Sequence, residues 1–201
     1  GWSSTFLSSF MMLPNPYHSY YFKGAEMLEK SLKEYWENGT RAEVVQQVEE
    51  ELFKKYDDEE LTEKPTELEK RGGAFYSDAA CNVMTSIYTN KGDIQTVNVQ
   101  NNGTISDLPN DAVIETNAVM GAEGPRPISI GTLPLSIRGI IQLMKNMEEL
   151  VIEAAVKGDR ERLYQALVIN PLVREETLAK DLMEELLDAH KEDLPQFYQQ
   201  V

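Results

Sequence analysis

The chain has 201 residues, 41% of them apolar, and carries 34 acidic against 19 basic side chains for a formal net charge of −15. That length suits one domain with a real core. The charge excludes nucleic acid and anionic membrane as partners, because both need a basic footprint, and no apolar run is long enough to span a bilayer. One cysteine, Cys81, excludes an internal disulfide and fits a reducing cytosol. The opening, "GWSSTFLSSFMMLP", is apolar without a basic leader and is not read as a signal peptide.

In chain order, residues 2–13 read as a short helix closed by Pro14 and Pro16, followed by the aromatic cluster Tyr17, Tyr20, Tyr21 and Phe22. Residues 25–36 and 42–56 are predicted helical, the second with Val44, Val45, Val48, Leu52 and Phe53 at helical spacing. Residues 57–69 are dominated by acids and broken by Pro65, and are expected to be a solvated, mobile excursion. Gly72 and Gly73 then release a helix over 74–89, with Tyr76, Ala80, Val83 and Ile87 on one face.

The period then changes. Residues 94–99 alternate as a strand, Asn101-Asn102-Gly103 is a turn, and 112–119 and 126–130 are two further strands. After Pro134 the chain is helical to its end. An apolar stripe runs from Ile137 to Ala154, Gly158-Asp159 restarts a helix, and Pro171 separates it from a last one carrying Leu178, Leu182, Leu186 and Ala189. These stripes suit an interface as well as a core. The class is α+β, helices around a small, mainly antiparallel sheet, in a single domain over 1–201 with the acidic excursion as an appendage.

Several chemistries are missing. The chain has no glycine-rich dinucleotide or phosphate loop, no Cys-x-x-Cys and no His-Glu-x-x-His. His18 and His190 are unpartnered histidines and are not read as metal ligands.

At "KRGGAFYSDAACNVMTSIYTN", from Lys70 to Asn90, the sequence resembles glycoside hydrolase family 4, specifically its 6-phospho-β-glucosidases. The resemblance continues through "VNVQNNGTISDLPNDAVIET", "GPRPISIGTLP" and "LVIEAAVKGDRERLYQALVINPLV", and upstream in "MLPNPYHSYYF". It covers nearly the whole chain, less well over the acidic excursion.

The resemblance implies a bipartite enzyme. An N-terminal NAD-binding domain, which also holds a divalent metal, usually manganese, is absent from this chain. The C-terminal domain has a fold similar to that of the lactate dehydrogenase C-terminal domain. The implied chemistry is oxidation at sugar C3, removal of the acidified C2 proton, elimination of the aglycone, addition of water and return of the hydride, which departs from the usual two-carboxylate hydrolysis. The implied substrate is a phosphorylated disaccharide or aryl glucoside. The enzyme is expected to be a cytoplasmic homo-oligomer, and this chain alone is expected to bind neither NAD nor metal and to be inactive.

By the same resemblance, Tyr76 matches the C2 base. A phenol ionises near ~10, so such a base needs positive charge beside it, and a helix N-terminus and Arg71 are placed to help. Arg71 is the candidate for substrate phosphate or for tuning the tyrosine. Asn101 and Asn102 are candidates to line the sugar site, with plain hairpin chemistry as their other reading. Cys81, about 140° around the helix from Tyr76, is expected to be buried and inert. Two alternatives stand beside this reading: an α-linked or unphosphorylated substrate within the same family, and a non-enzymatic acidic helical interaction module.

Overall fold

A computed structural model describes residues 1–72 and 75–198 of the chain. They form helices with a small three-stranded sheet of order β1-β2-β3. The contacts divide the chain into two compact units, one of residues 1–22, 98–114 and from 129 to the end, the other of residues 23–97 and 115–128.

In the first unit, α1 (Ser4–Phe10) starts where Ser3 Oγ accepts from the Phe6 N–H at 3.1 Å. A short helix follows, α2 (His18–Phe22), where the sequence pattern shows only an aromatic cluster. Phe22 meets Trp2, Phe6 and Phe10 edge-on, at ring separations of 5.0 to 6.0 Å, the arrangement that aromatic quadrupoles favour. One core joins Ile105, Leu108, Ile114 and Leu133.

A second core in this unit joins Ala154, Met183, Leu187 and Phe197. It is built by α7 (Leu135–Lys157), α8 (Arg160–Ile169), α9 (Glu176–Ala189) and a 3-10 turn at Pro195–Phe197. The break between α7 and α8 falls where expected. Gly158 adopts φ +68°, the left-handed cap that glycine takes without strain. Asp159 then caps α8 by accepting from the Arg162 N–H at 3.0 Å.

The second unit opens with α3 (Gly24–Asn38), no residue of which is buried. Next comes α4 (Arg41–Tyr56), which begins in a reciprocal cap: Glu43 N–H donates to Thr40 Oγ1, and Thr40 N–H donates back to Glu43 Oε2. Val48 and Leu52 are the buried end of its stripe, while Phe53 is exposed. The acidic stretch is not wholly irregular. Residues from Glu67 to Arg71 form a short helix, α5, tied to α4 by Lys55 Nζ on Glu67 Oε1 at 2.7 Å.

Helix α6 (Tyr76–Thr89) follows, and the expected release at Gly73 and Ala74 lies outside the described residues. Strands β1 (Asp93–Gln100) and β2 (Val113–Gly121) each run through both units. In the second unit β2 pairs antiparallel with β3 (Gly124–Pro127), in the register Val119 to Arg126 and Gly121 to Gly124. The third strand therefore ends at Pro127 and not at residue 130. Proline donates no ladder hydrogen bond, so Pro125 and Pro127 make β3 a short edge strand, and only the Ile128 N–H adds one more bond, to Asn117 O at 2.9 Å.

Candidate active site

Tyr76 is the first residue of α6 and is 79% exposed. Among the described residues its hydroxyl has no hydrogen-bond partner, so the core role open to an aromatic at this position is not the one it fills. Phe75 precedes it as the helix cap, with no side-chain hydrogen bond to the free N–H groups of the first turn. Those N–H groups carry the positive end of the helix dipole. Lys64 Nζ stands 5.6 Å from the Phe75 ring centre, a cation at the same helix entrance that sequence reasoning did not single out.

The stripe expected on α6 is only half buried. Ser86 is enclosed, Val83 and Ile87 are partly covered, and Tyr76 and Ala80 are exposed. Cys81, expected to be buried and inert, is exposed. The reason is that α6 is held from its C-terminal half. Gln95 Nε2 donates to Ser86 Oγ at 2.7 Å and to Asn82 O at 3.2 Å, and the Ala122 N–H donates to Asn90 Oδ1 at 2.9 Å. Asp93 completes this polar seam, its carboxyl held below the ordinary range by the Ser86 hydroxyl and then by Lys91. The first two turns project beyond these anchors, so Tyr76 is presented on a helix rooted in the sheet.

Arg71 ends α5 and meets Glu49 of α4, with Nη2 at 2.8 Å and Nε at 2.9 Å from the same carboxylate oxygen. Glu49 is the partner the sequence concealed, because the run Glu49-Glu50-Glu51 reads as a solvated face. The Arg41 guanidinium donates to the Lys70 carbonyl and closes the end of α5 against the start of α4. Arg41, Lys64, Lys70 and Arg71 belong to the same unit as Tyr76.

Asn101 and Asn102 belong to the other unit. Asn101 is 0% exposed. Its amide nitrogen donates to the carbonyls of Ile105, Leu108 and Pro109 at 2.9 to 3.0 Å, and its oxygen accepts from the Ile105 N–H at 2.7 Å. Every polar atom of that side chain is used inside the loop, and none is open to a ligand. Asn102 is exposed, with φ +43°, the left-handed turn position that asparagine tolerates.

The fold is helices with a small three-stranded sheet, and α6 presents Tyr76 on its first turn. The family model described as "Family 4 glycosyl hydrolase C-terminal domain" matches residues 3–173. This chain belongs to glycosyl hydrolase family 4 and covers only its C-terminal domain.

It is 52% identical over 200 residues to a Bacillus subtilis (strain 168) protein named "Probable 6-phospho-beta-glucosidase", covering 100% of this chain and 45% of that protein. It superimposes with a TM-score of 0.83 and 35% identity on the Thermotoga maritima 6-phospho-β-glucosidase solved with manganese, NAD+ and glucose-6-phosphate, covering 96% of this chain and 45% of that one. A 6-phospho-α-glucosidase from gut microorganisms, in complex with NAD and glucose-6-phosphate, matches at a TM-score of 0.78 and 25% identity over 96% of this chain and 43% of that one. The chain thus spans about half the length of the relatives it matches.

Proposed function

We propose that this chain is the C-terminal catalytic and substrate domain of an NAD- and divalent-metal-dependent 6-phospho-β-glucosidase, with Tyr76 as the base that removes the proton from sugar C2. The observation that carries this reading is Tyr76 itself: a 79% exposed phenol on the first turn of an anchored helix, in a chain that belongs to this family. A phenol placed for proton transfer has to be reachable.

Among the described residues no three His, Cys, Asp or Glu side chains are grouped to hold a metal ion. The sequence also offers no glycine-rich loop to cradle a pyrophosphate. NAD and manganese enter the proposal because the solved relative contains both. What the chain itself supplies is the proton acceptor and the means of aiming it. Ser86, Gln95 and Asn90 root α6. Arg71 is proposed as a contact for the sugar 6-phosphate, reached when the phosphate competes with Glu49 for the guanidinium.

The β-linked substrate is favoured by the 52% identical relative. The 6-phospho-α-glucosidase match makes the α-linked substrate the second reading. A cytoplasmic location follows from the proposed substrate, since glucosides phosphorylated at C6 arise on import.

The test is Tyr76→Phe in the full-length protein, assayed on aryl β- and α-glucoside 6-phosphates. The ring and its packing remain, so glucose-6-phosphate should still bind, while kcat falls by ~10²–10⁴-fold, the usual share of general base catalysis. A near-normal kcat would assign the base to another group. Turnover of the α-anomer alone would select the second reading.

A further inference from the structure

We infer that Asn102 is a site of spontaneous modification, where loss of ammonia converts the asparagine to iso-aspartate or aspartate and loosens the buried junction beside the turn after β1. Asparagine is a thermolabile residue. It is most so before glycine, which has no side chain to keep its main-chain nitrogen away from the carboxamide. The sequence holds two such pairs, Asn38-Gly39 and Asn102-Gly103. Both asparagines are exposed, so access does not rank them. The bonds held by the following nitrogen do.

The Gly39 N–H is occupied. It donates to the Tyr35 carbonyl at 2.9 Å and closes the end of α3. Glu43 Oε2 stands 2.6 Å from where a Gly39 Cβ would be, held there by the Thr40 N–H and hydroxyl. Asn38 is the last residue of α3, and ring closure has to undo that helical geometry.

Gly103 differs on each count. Among the described residues neither its N–H nor the Asn102 side chain has a hydrogen-bond partner. Asn102 and Gly103 are the central pair of a turn, with φ +43° and +83°, closed by the Thr104 N–H on the Asn101 carbonyl at 2.8 Å. Apart from its chain neighbours, nothing lies within 4 Å of where a Gly103 Cβ would sit, so the peptide between the two has room to rotate. The Gly103 nitrogen then bonds to Asn102 Cγ. The carboxamide nitrogen leaves as ammonia, taking up the proton of the attacking N–H, and a cyclic imide remains. Water opens the imide. Opening at Cγ gives aspartate. Opening at the main-chain carbonyl gives iso-aspartate, in which the chain runs through the side chain and is one carbon longer.

The extra carbon matters because the turn is tied on both sides. The Asn102 N–H donates to the Asn110 carbonyl at 2.9 Å, and the Thr104 carbonyl accepts from the Ile130 and Gly131 N–H groups at 2.9 and 3.1 Å. Thr104 is buried and adjoins Ile105 of the core. A longer chain between positions 102 and 104 strains both ties.

The test is peptide mass mapping of the full-length protein aged at mildly alkaline pH, with iso-aspartate marked by an isoaspartyl methyltransferase. In the folded protein the peptide with Asn102 should gain about 1 Da, the change from amide to acid. It should do so at least about tenfold faster than the peptide with Asn38, where the Gly39 hydrogen bond must break first. In urea the two rates should converge, since neither nitrogen is then held. The iso-aspartate fraction should melt below the unmodified protein, whereas Asn102→Asp, which adds the charge without lengthening the chain, should melt with it. An Asn102 that stays intact, or an Asn38 that reacts as fast in the folded protein, would overturn the inference. So would an iso-aspartate fraction that melts with the unmodified protein.

Discussion

Arg71 and Glu49 stand 22 residues apart in sequence and 2.8 Å apart in space, with two guanidinium nitrogens on one carboxylate oxygen. Both side chains are part-exposed, so the pair adds at most about 1 kcal/mol to stability. It holds the arginine in place while leaving it exchangeable. Arg71→Ala in the full-length protein should therefore raise KM for a 6-phosphorylated glucoside about tenfold or more, the value of a hydrogen bond to a charged group. Glu49→Gln should lower KM, because it removes the competitor for the phosphate. An unchanged KM in both variants would limit Arg71 to pairing with Glu49.

Asn101 wires its loop together through four hydrogen bonds from a side chain that is fully enclosed. Asn101→Ala leaves the Leu108 carbonyl and the Ile105 N–H without a partner, while the Ile105 and Pro109 carbonyls keep the Leu108 and Ala112 N–H groups, and each buried orphan costs ~1–3 kcal/mol. The expected loss is at least ~2–4 kcal/mol in urea unfolding. Asn101→Asp should be no better: the shape is kept, but the two N–H donors are replaced by an acceptor that faces the same carbonyls. A loss under ~1 kcal/mol in either variant would show that the loop satisfies these groups in another way.

Gly158 is constrained twice. Its φ is +68°, and a Cβ built there falls 2.0 Å from the Gln196 carbonyl oxygen. Gly158→Ala should destabilise by more than the ~1–2 kcal/mol that left-handed geometry alone costs, because the backbone around Phe197 must also move. The measurement is Tm, together with near-ultraviolet circular dichroism of the aromatic residues beside that core. A Tm within a degree or two of the wild type would contradict the close approach.

Glu67 ties α5 to α4, and its carboxyl is held below the ordinary value by the hydrogen bond from Lys55 and then by its own backbone N–H. A carboxylate with a lowered folded-state value stabilises the fold above its unfolded value, and that stabilisation is lost as pH falls through the folded one. The loss thus begins as pH drops past about 4.3, the ordinary glutamate value. Glu67→Gln should remove this part of the acid dependence while lowering stability near neutrality. Parallel acid-unfolding curves for wild type and variant, offset by a constant, would show that Glu67 is not a contributor.

Much of the architecture is local and was legible in the residues. Helical spacing marked α4 and the long C-terminal helices, Gly158-Asp159 marked the break between α7 and α8, and Asn101-Asn102-Gly103 marked the turn after β1. Caps, turns and periods act within a few residues of themselves, so composition and spacing determine them. The family, too, was readable, because "KRGGAFYSDAA" and the stretches that accompany it occur together in one order.

Tertiary packing decided which of those residues face solvent and which find partners. Cys81 and Tyr76 lie on a helix whose spacing suits a core, yet both are exposed, because Ser86, Asn90 and Gln95 anchor α6 from its other end. Arg71 reads as a free cation until α4 brings Glu49 to it. Asn101 reads as a turn residue open to a sugar until its own loop folds back and uses all its hydrogen bonds. Burial and pairing depend on segments distant in sequence meeting in space, and no period within a single segment encodes which distant segment will arrive.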